Sequence, residues 1–195
     1  METAIYIILI IAQLGVLYWF LIRSRKKGSA EQQRRAELVK EFPFEGMRNA
    51  ALKTTPGALL AQTQPDELLV YGIVMDWDMG DDVISLAVQI TGDANLYVKS
   101  GGGIVGSGKY PEVIGAAQAM VLISKDYMKF LQPAIATPLP EKGQILFYLQ
   151  TNQGLYSGGD SQKIMENPSS QWHTLYEAAN HVIHIMKTSA FEKKS

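Results

Sequence analysis

The sequence has no cysteine, which excludes a disulfide framework, a thiolate metal site and a thiol nucleophile. It also has no excess of either charge. Eighteen basic and 19 acidic residues among 195 leave a net charge of −1, so no global field draws the chain to nucleic acid, and none is expected as a partner. Histidine is scarce, with three in all, His173, His181 and His184. No Gly-x-Ser-x-Gly nucleophile elbow occurs, and nothing in the chain calls for a cofactor. Glycine is plentiful instead. Seventeen glycines and eight prolines point to a loop-rich α+β chain rather than a helical bundle.

Long apolar runs are also rare, with one clear exception. Ala4 to Ile22, AIYIILIIAQLGVLYWFLI, is 19 residues without a charge. At ~1.5 Å per residue it spans about 28 Å, close to the ~30 Å hydrocarbon thickness of a bilayer. Tyr18 and Trp19 stand near its end, where amphipathic rings favour the headgroup level. Arg23, Arg25, Lys26 and Lys27 follow, while only the α-amine and Glu2 precede it. The positive-inside rule then puts the N-terminus outside and the rest in the cytoplasm, as a single-pass protein of the inner (plasma) membrane. A cleaved signal peptide would need a basic region before the run and a small-residue cleavage site, and neither is present. Gln13, near mid-membrane, either is a tolerated amide or bonds to a second copy's helix.

Three regions follow from this: residues 1–27 as anchor and basic stop, 28–65 as a juxtamembrane helix and linker, and 66–195 as the cytoplasmic α+β domain. Ser29-Ala-Glu-Gln32 has capping-box spacing before the helix formers of Glu31 to Glu41. A helical turn is expected over Met47 to Lys53 within the linker. Leu68–Trp77, Val83–Thr91 and Asn95–Ser100 read as three strands of an antiparallel meander joined by tight turns. Pro111 to Leu131 reads as a long helix with proline at its first position. Gln144–Gln150 and Gly154–Ser157 read as a hairpin, and Ser169–Lys187 as a closing helix. The expected architecture is a mainly antiparallel sheet of about five strands with two long helices on one face. A ββα duplication is suggested by Leu96-Tyr97 and Leu155-Tyr156, followed by Ala116-Ala117 and Ala178-Ala179.

Gly101-Gly102-Gly103-Ile104-Val105-Gly106-Ser107-Gly108-Lys109 carries the sharpest string. Gly103 to Lys109 fits GxxxxGK between a strand and a helix, the pattern whose backbone amides wrap a phosphate. The next residue is Tyr110 rather than the short hydroxyl that holds magnesium, and an antiparallel meander is the wrong sheet for a P-loop. A plain connection from sheet to helix explains the same glycines. Asp76, Asp78, Asp81 and Asp82 crowd the first hairpin, but an EF-hand would need glycine at Asp81 and glutamate at Ala87. They are also ordinary turn residues, and no metal site is expected. On the closing helix Trp172, Leu175, Tyr176, Ala179, Val182, Ile183 and Met186 form one apolar stripe, leaving the histidines on the wet face. The helix from Val113 is apolar over more than one stripe: Val113, Ala117, Met120 and Tyr127 on one side, Ile123 and Phe130 on another. It therefore needs a second neighbour, either within the chain or on a partner.

Val74-Met75-Asp76-Trp77, Asn95-Leu96-Tyr97 and the triple glycine with Ile104 together resemble a group of bacterial proteins of uncharacterised activity. Those proteins share a Met-Asp-Trp strand end, a Leu-Tyr strand and a triple-glycine loop. The resemblance implies a bacterial origin and a single α+β domain, and it groups Asp76 and Trp77 with the glycine loop. Two functions are expected to compete. One is a non-enzymatic domain that binds a protein partner or itself, with no catalytic residue. The other is a phosphorylated-ligand-binding or enzymatic domain using Gly101, Gly102, Gly103, Gly106, Gly108 and Lys109, with Asp76 and Trp77 nearby.

Overall fold

The computed structural model describes residues 44–55, 57 and 67–191. The expected anchor, basic stop and capped juxtamembrane helix lie outside those residues. Among the described residues no helix is long and apolar enough to cross a membrane.

The chain forms α1 (Phe44–Leu52), β1 (Val70–Asp78), β2 (Val83–Gln89), β3 (Ala94–Val98), β4 (Gly103–Ile104) and α2 (Pro111–Ser124). A 3₁₀ stretch (Lys125–Phe130), β5 (Gln132–Pro133), β6 (Gln144–Thr151), β7 (Gly154–Ser161), α3 (Gln162–Met165) and α4 (His173–Phe191) complete it. One seven-stranded sheet runs β4-β3-β2-β1-β6-β7-β5, with antiparallel pairing throughout. The α+β class and antiparallel sheet match the sequence reading. The strand number does not, because β4 and β5 each add two residues at opposite edges of the five expected strands.

β1 sits at the centre of the sheet, with the β2–β3 and β6–β7 hairpins on either side. Its sequence, VYGIVMDWD, is buried on both faces, which explains why it lacks the apolar-polar alternation of a half-exposed strand. Strand geometry sends alternate side chains to opposite faces. Ile73, Met75 and Trp77 join Leu86, Val88, Phe147 and Leu149 in one cluster with the buried faces of α2 and α4. Val74 joins Val83, Ala87, Tyr97 and Tyr148 in a second cluster with Phe44 and Ala51 of α1. Two long helices thus cover one face and α1 lies on the other. The expected stripe of the closing helix is buried throughout.

Three segment ends differ from expectation for identifiable reasons. The long helix stops being α-helical at Ser124 and tightens into a 3₁₀ turn. Three residues per turn align i with i+3, so Tyr127 and Phe130 both reach Trp172, with ring centroids 5.9 and 6.0 Å away. β7 runs four residues beyond Ser157 through Gly158 and Gly159. A Cβ at Gly159 would lie 2.0 Å from the Ile145 carbonyl oxygen, and one at Gly158 2.8 Å from Leu131. These glycines therefore mark close approach rather than a loop. Phe44–Leu52, placed by the sequence in a linker, is a helix packed on the sheet with Phe44, Arg48 and Ala51 buried. It clusters by contacts with the rest of the domain, from Pro43 onward.

Candidate functional site

The densest polar chemistry among the described residues lies between α1 and the sheet. β1 alternation turns Asp76 toward α1, where it has no exposed surface. On α1, Phe44, Arg48 and Ala51 follow i, i+4, i+7 and face the sheet together. Arg48 donates from Nε and from Nη2 to Asp76 Oδ2, at 2.7 and 2.5 Å. Ser85, directly across from Asp76 on β2, donates its hydroxyl to Oδ1. Arg48 Nη2 also donates to the Pro138 carbonyl at 3.3 Å, the oxygen that accepts the Tyr148 hydroxyl at 2.5 Å. The guanidinium lies 5.5 Å from the Tyr148 ring centroid, within cation–π range. Burial pushes the Asp76 carboxyl above its ordinary value, and Arg48 and then Ser85 pull it part of the way back. Burial likewise raises the Tyr148 hydroxyl, with the nearby Asp76 charge adding to the effect.

Toward the C-terminal end of α1 the network continues in amides. Gln89 Nε2 donates to Gln150 Oε1 at 3.0 Å. Gln150 Nε2 in turn faces the carbonyls of Ala51, Leu52 and Thr54 at 2.9, 3.0 and 3.2 Å. Carbonyls at a helix end have no partner within the helix, and Gln150 supplies one from the sheet. Gly72 makes room for the amide pair, since a Cβ there would lie 2.3 Å from Gln150 Oε1 and 2.7 Å from Gln89 Nε2. Among the described residues no buried side-chain nitrogen or oxygen lacks a hydrogen-bond partner. With α1 in place, Asp76 is sealed from solvent and both its oxygens are engaged. In this state it serves as an ion-pair latch.

Trp77, next along β1, points the opposite way. Its indole Nε1 donates to Gln162 Oε1 at 3.2 Å, and its ring meets Tyr176 edge-on at 5.7 Å. The glycine loop lies at the β4 edge, with β3 and β2 between it and β1. The structure therefore separates Asp76, Trp77 and the loop that the sequence grouped.

Gly101, Gly102, Gly103 and Gly106 all have left-handed φ, conformations that favour glycine. Gly103 pairs with Tyr97, and a Cβ there would lie 2.2 Å from the Leu96 carbonyl oxygen. Gly106 N donates to Asn95 Oδ1 at 2.9 Å. The buried Ser107 donates its hydroxyl to the Ala94 carbonyl. A Cβ at Gly108 would lie 2.5 Å from Asp93 Oδ1. The loop is thus stitched back to β3 and the turn before it, and Lys109 Nζ lies 5.4 Å from the Tyr110 ring centroid.

Asp78, Asp81 and Asp82 line an open depression of about 380 Å³ with Gly80, Val83, Lys99 and Ser100. Asp82 holds the β1–β2 and β3–β4 turns together. Its Oδ1 accepts from Val83 N and Ser100 N at 2.8 and 3.0 Å, and Oδ2 accepts the Ser100 hydroxyl. The Ser100 hydroxyl, followed by backbone amides, holds the Asp82 carboxyl below its ordinary value. Among the described residues no group of three histidine, aspartate or glutamate side chains is placed to hold a metal ion. His173 Nδ1 lies 3.1 Å from the Met165 carbonyl oxygen, while His181 and His184 are exposed.

The second neighbour that α2 requires is largely α4, since both share one core cluster. A strip of α2 remains uncovered. Gly115, Ala119 and Leu122 are exposed, Leu122 at 66%, on a helix with no charge between Glu112 and Lys125.

Arg48, Gly72, Ser85, Gln89, Tyr148 and Gln150 are absent from the sequence-derived site. Ser85 and Gln89 do leave a trace there, as polar residues alternating with Ile84, Leu86 and Val88. Comparison of the chain with protein-family models, with curated proteins and with solved structures returns no match to any.

Proposed function

We propose that this chain is a single-pass membrane protein, anchored by residues 4–22, whose cytoplasmic domain works by binding protein, and that its partner is a second copy docked on the outer face of α2. The uncovered strip carries this reading. Large apolar side chains in isolation are ordinary on surfaces, but Leu122 stands beside two residues too small to block a close approach. An antiparallel pair of α2 helices places Leu122 of each copy against Gly115 of the other, with the twofold axis beside Gln118 and Ala119. Such an isologous contact is self-complementary, and small residues let two helices approach closely. The same pairing sets the acidic Glu112 end of one helix alongside the basic Lys125 end of the other, and the two helix dipoles then oppose. Tethering confines both copies to one membrane, which raises their effective concentration.

The lack of native cysteine makes the test direct. Ala119→Cys in the full-length chain, in native membranes, is expected to form a disulfide-linked dimer on mild oxidation. Adding Leu122→Glu is expected to abolish the crosslink without lowering the thermal midpoint. An Ala119→Cys chain that stays monomeric under oxidant, beside a disulfide-forming control on the same gel, overturns the α2 reading.

A further inference from the structure

We propose that the sheet face beneath α1 is a receptor groove for an arginine-bearing amphipathic helix, and that α1, its occupant, docks and undocks as a unit while the sheet, α2 and α4 stay folded. The chemistry of the groove is selective. A carboxylate (Asp76), a carbonyl (Pro138) and an aromatic face (Tyr148) converge on one guanidinium. This set matches the fork, charge and flat face of arginine and would serve lysine poorly. Gln150 reads a second feature, the carbonyls of a helix ending within about one turn of that arginine. The groove therefore specifies a helix with a large apolar residue, an arginine one turn later and a C-terminus shortly after. Phe44, Arg48 and Leu52 of α1 meet that description.

The same chemistry makes the occupant releasable. α1 buries only Phe44, Arg48 and Ala51, whereas α2 buries Val113, Ala117, Met120 and Val121 in the main core. Beneath α1 the sheet offers Asp76, Ser85, Gln89 and Gln150, groups that water can satisfy again when the helix leaves, beside an apolar cluster of Val74, Val83, Ala87, Tyr97 and Tyr148 that is much smaller than the main core. Hydrogen bonds and ion pairs exchanged for hydration give little net stability, while they fix register closely. Met47 and Leu52 pack at the edge of that cluster and the other α1 side chains face solvent, so undocking opens this layer alone. α2 lies on the opposite face of the sheet, and its outer strip is untouched by the movement.

Hydrogen exchange of the full chain in detergent micelles, read by mass spectrometry, tests the release. Backbone amides of α1 are expected to exchange at least about a hundredfold faster than those of β1 and β6, through an opening that leaves the core closed. Asp76→Asn is expected to speed α1 a further tenfold or so and leave β6 and α4 unchanged. Equal protection of α1 and β1, with both exchanging only on global unfolding, overturns the proposal, and so does an Asp76→Asn chain that loosens β6 and α4 as much as α1. The receptor half is tested with the Arg48→Ala chain, whose own occupant is weakened. A labelled peptide of residues 43–55 is expected to bind it and to show no binding when the peptide carries Arg48→Ala. Equal binding of the two peptides, or binding of neither, overturns the groove's assignment to arginine.

Discussion

Under α2 and α4 the sheet presents Ile73, Met75, Leu86, Val88 and Phe147. Under α1 the same strands present Asp76, Ser85, Gln89 and Gln150 among a smaller apolar set, Val74, Val83, Ala87 and Tyr148. One residue of register separates the two sets, since alternate positions on a strand face opposite ways. The apolar face holds its helices by area removed from water, which is large in sum and tolerant of direction. The polar face holds its helix by a smaller apolar cluster and a few directional bonds whose net worth is small and whose geometry is demanding. The first arrangement suits an element that never leaves. The second suits one that must return to the same place each time.

That contrast is broken most severely on the apolar side. Phe147, fully buried, stacks on Trp172 at 6.1 Å. Phe147→Ala leaves a cavity that the two-helix layer cannot close, and the expected loss is about 3–5 kcal/mol of global stability. Denaturant unfolding should show one cooperative transition shifted to lower midpoint, and a loss under about 1 kcal/mol would mean that this face repacks freely.

On the polar side the outcome depends on whether α1 can leave. Asp76→Leu strands a buried guanidinium, which costs about 3–5 kcal/mol when the cation has no escape. Release of α1 returns Arg48 to water, so the global loss is expected to stay below about 3 kcal/mol, smaller than for Phe147→Ala. Combining Asp76→Leu with Arg48→Met replaces the ion pair by an apolar contact, and the double variant should recover to within about 1 kcal/mol of the parent or exceed it. A double variant no more stable than Asp76→Leu alone would assign the loss to packing at β1 rather than to the stranded charge.

The apolar face was legible in the sequence because it is written in local pattern. The closing-helix stripe from Trp172 to Met186 and the Val113–Ala117–Met120 stripe follow a period of 3.6, and the meander strands are short apolar runs bounded by turn residues, signals that depend only on local sequence. The polar face was not legible, because its meaning lies in pairs far apart in the chain: Arg48 with Asp76, Gln89 with Gln150, and Gln150 with the end of α1. Each residue alone looks ordinary. Arg48 sits in a stretch that reads as a single helical turn, and Asp76, though read within the first strand, groups by sequence with the aspartates of the hairpin turn rather than with an arginine. The glycines misled in both directions. The sequence reading ends β7 at Ser157, yet Gly158 and Gly159 are strand positions, one against the Leu131 side chain and the other against the Ile145 carbonyl. The triple glycine, which reads as a plain connection or as a phosphate cradle, forms the β3–β4 hairpin, where Gly103 must pass the Leu96 carbonyl. Composition reveals that a backbone position is special, and only the neighbours reveal why.

The smallest expected effect separates the two aspartates that the sequence put in one cluster. Burial raises the Asp76 carboxyl, so its folded state takes up a proton at higher pH than the unfolded chain. Arg48 opposes that rise, because protonation of Asp76 also breaks the ion pair. Asp82 runs the other way. Hydrogen bonds from Ser100 and from two backbone amides hold it below its ordinary value, so its contribution is present above about pH 3.9 and is lost as pH falls through the depressed value. Carboxyl carbon shifts followed by NMR should show Asp82 titrating below the ordinary aspartate value of about 3.9, and Ser100→Ala should bring it back toward that value. The loss belongs to the paired turns and not to the core, so the global midpoint at neutral pH should barely move in Ser100→Ala. An Asp82 resonance that titrates at the ordinary aspartate value in both proteins would remove the Asp82–Ser100 bond as the link between the two turns.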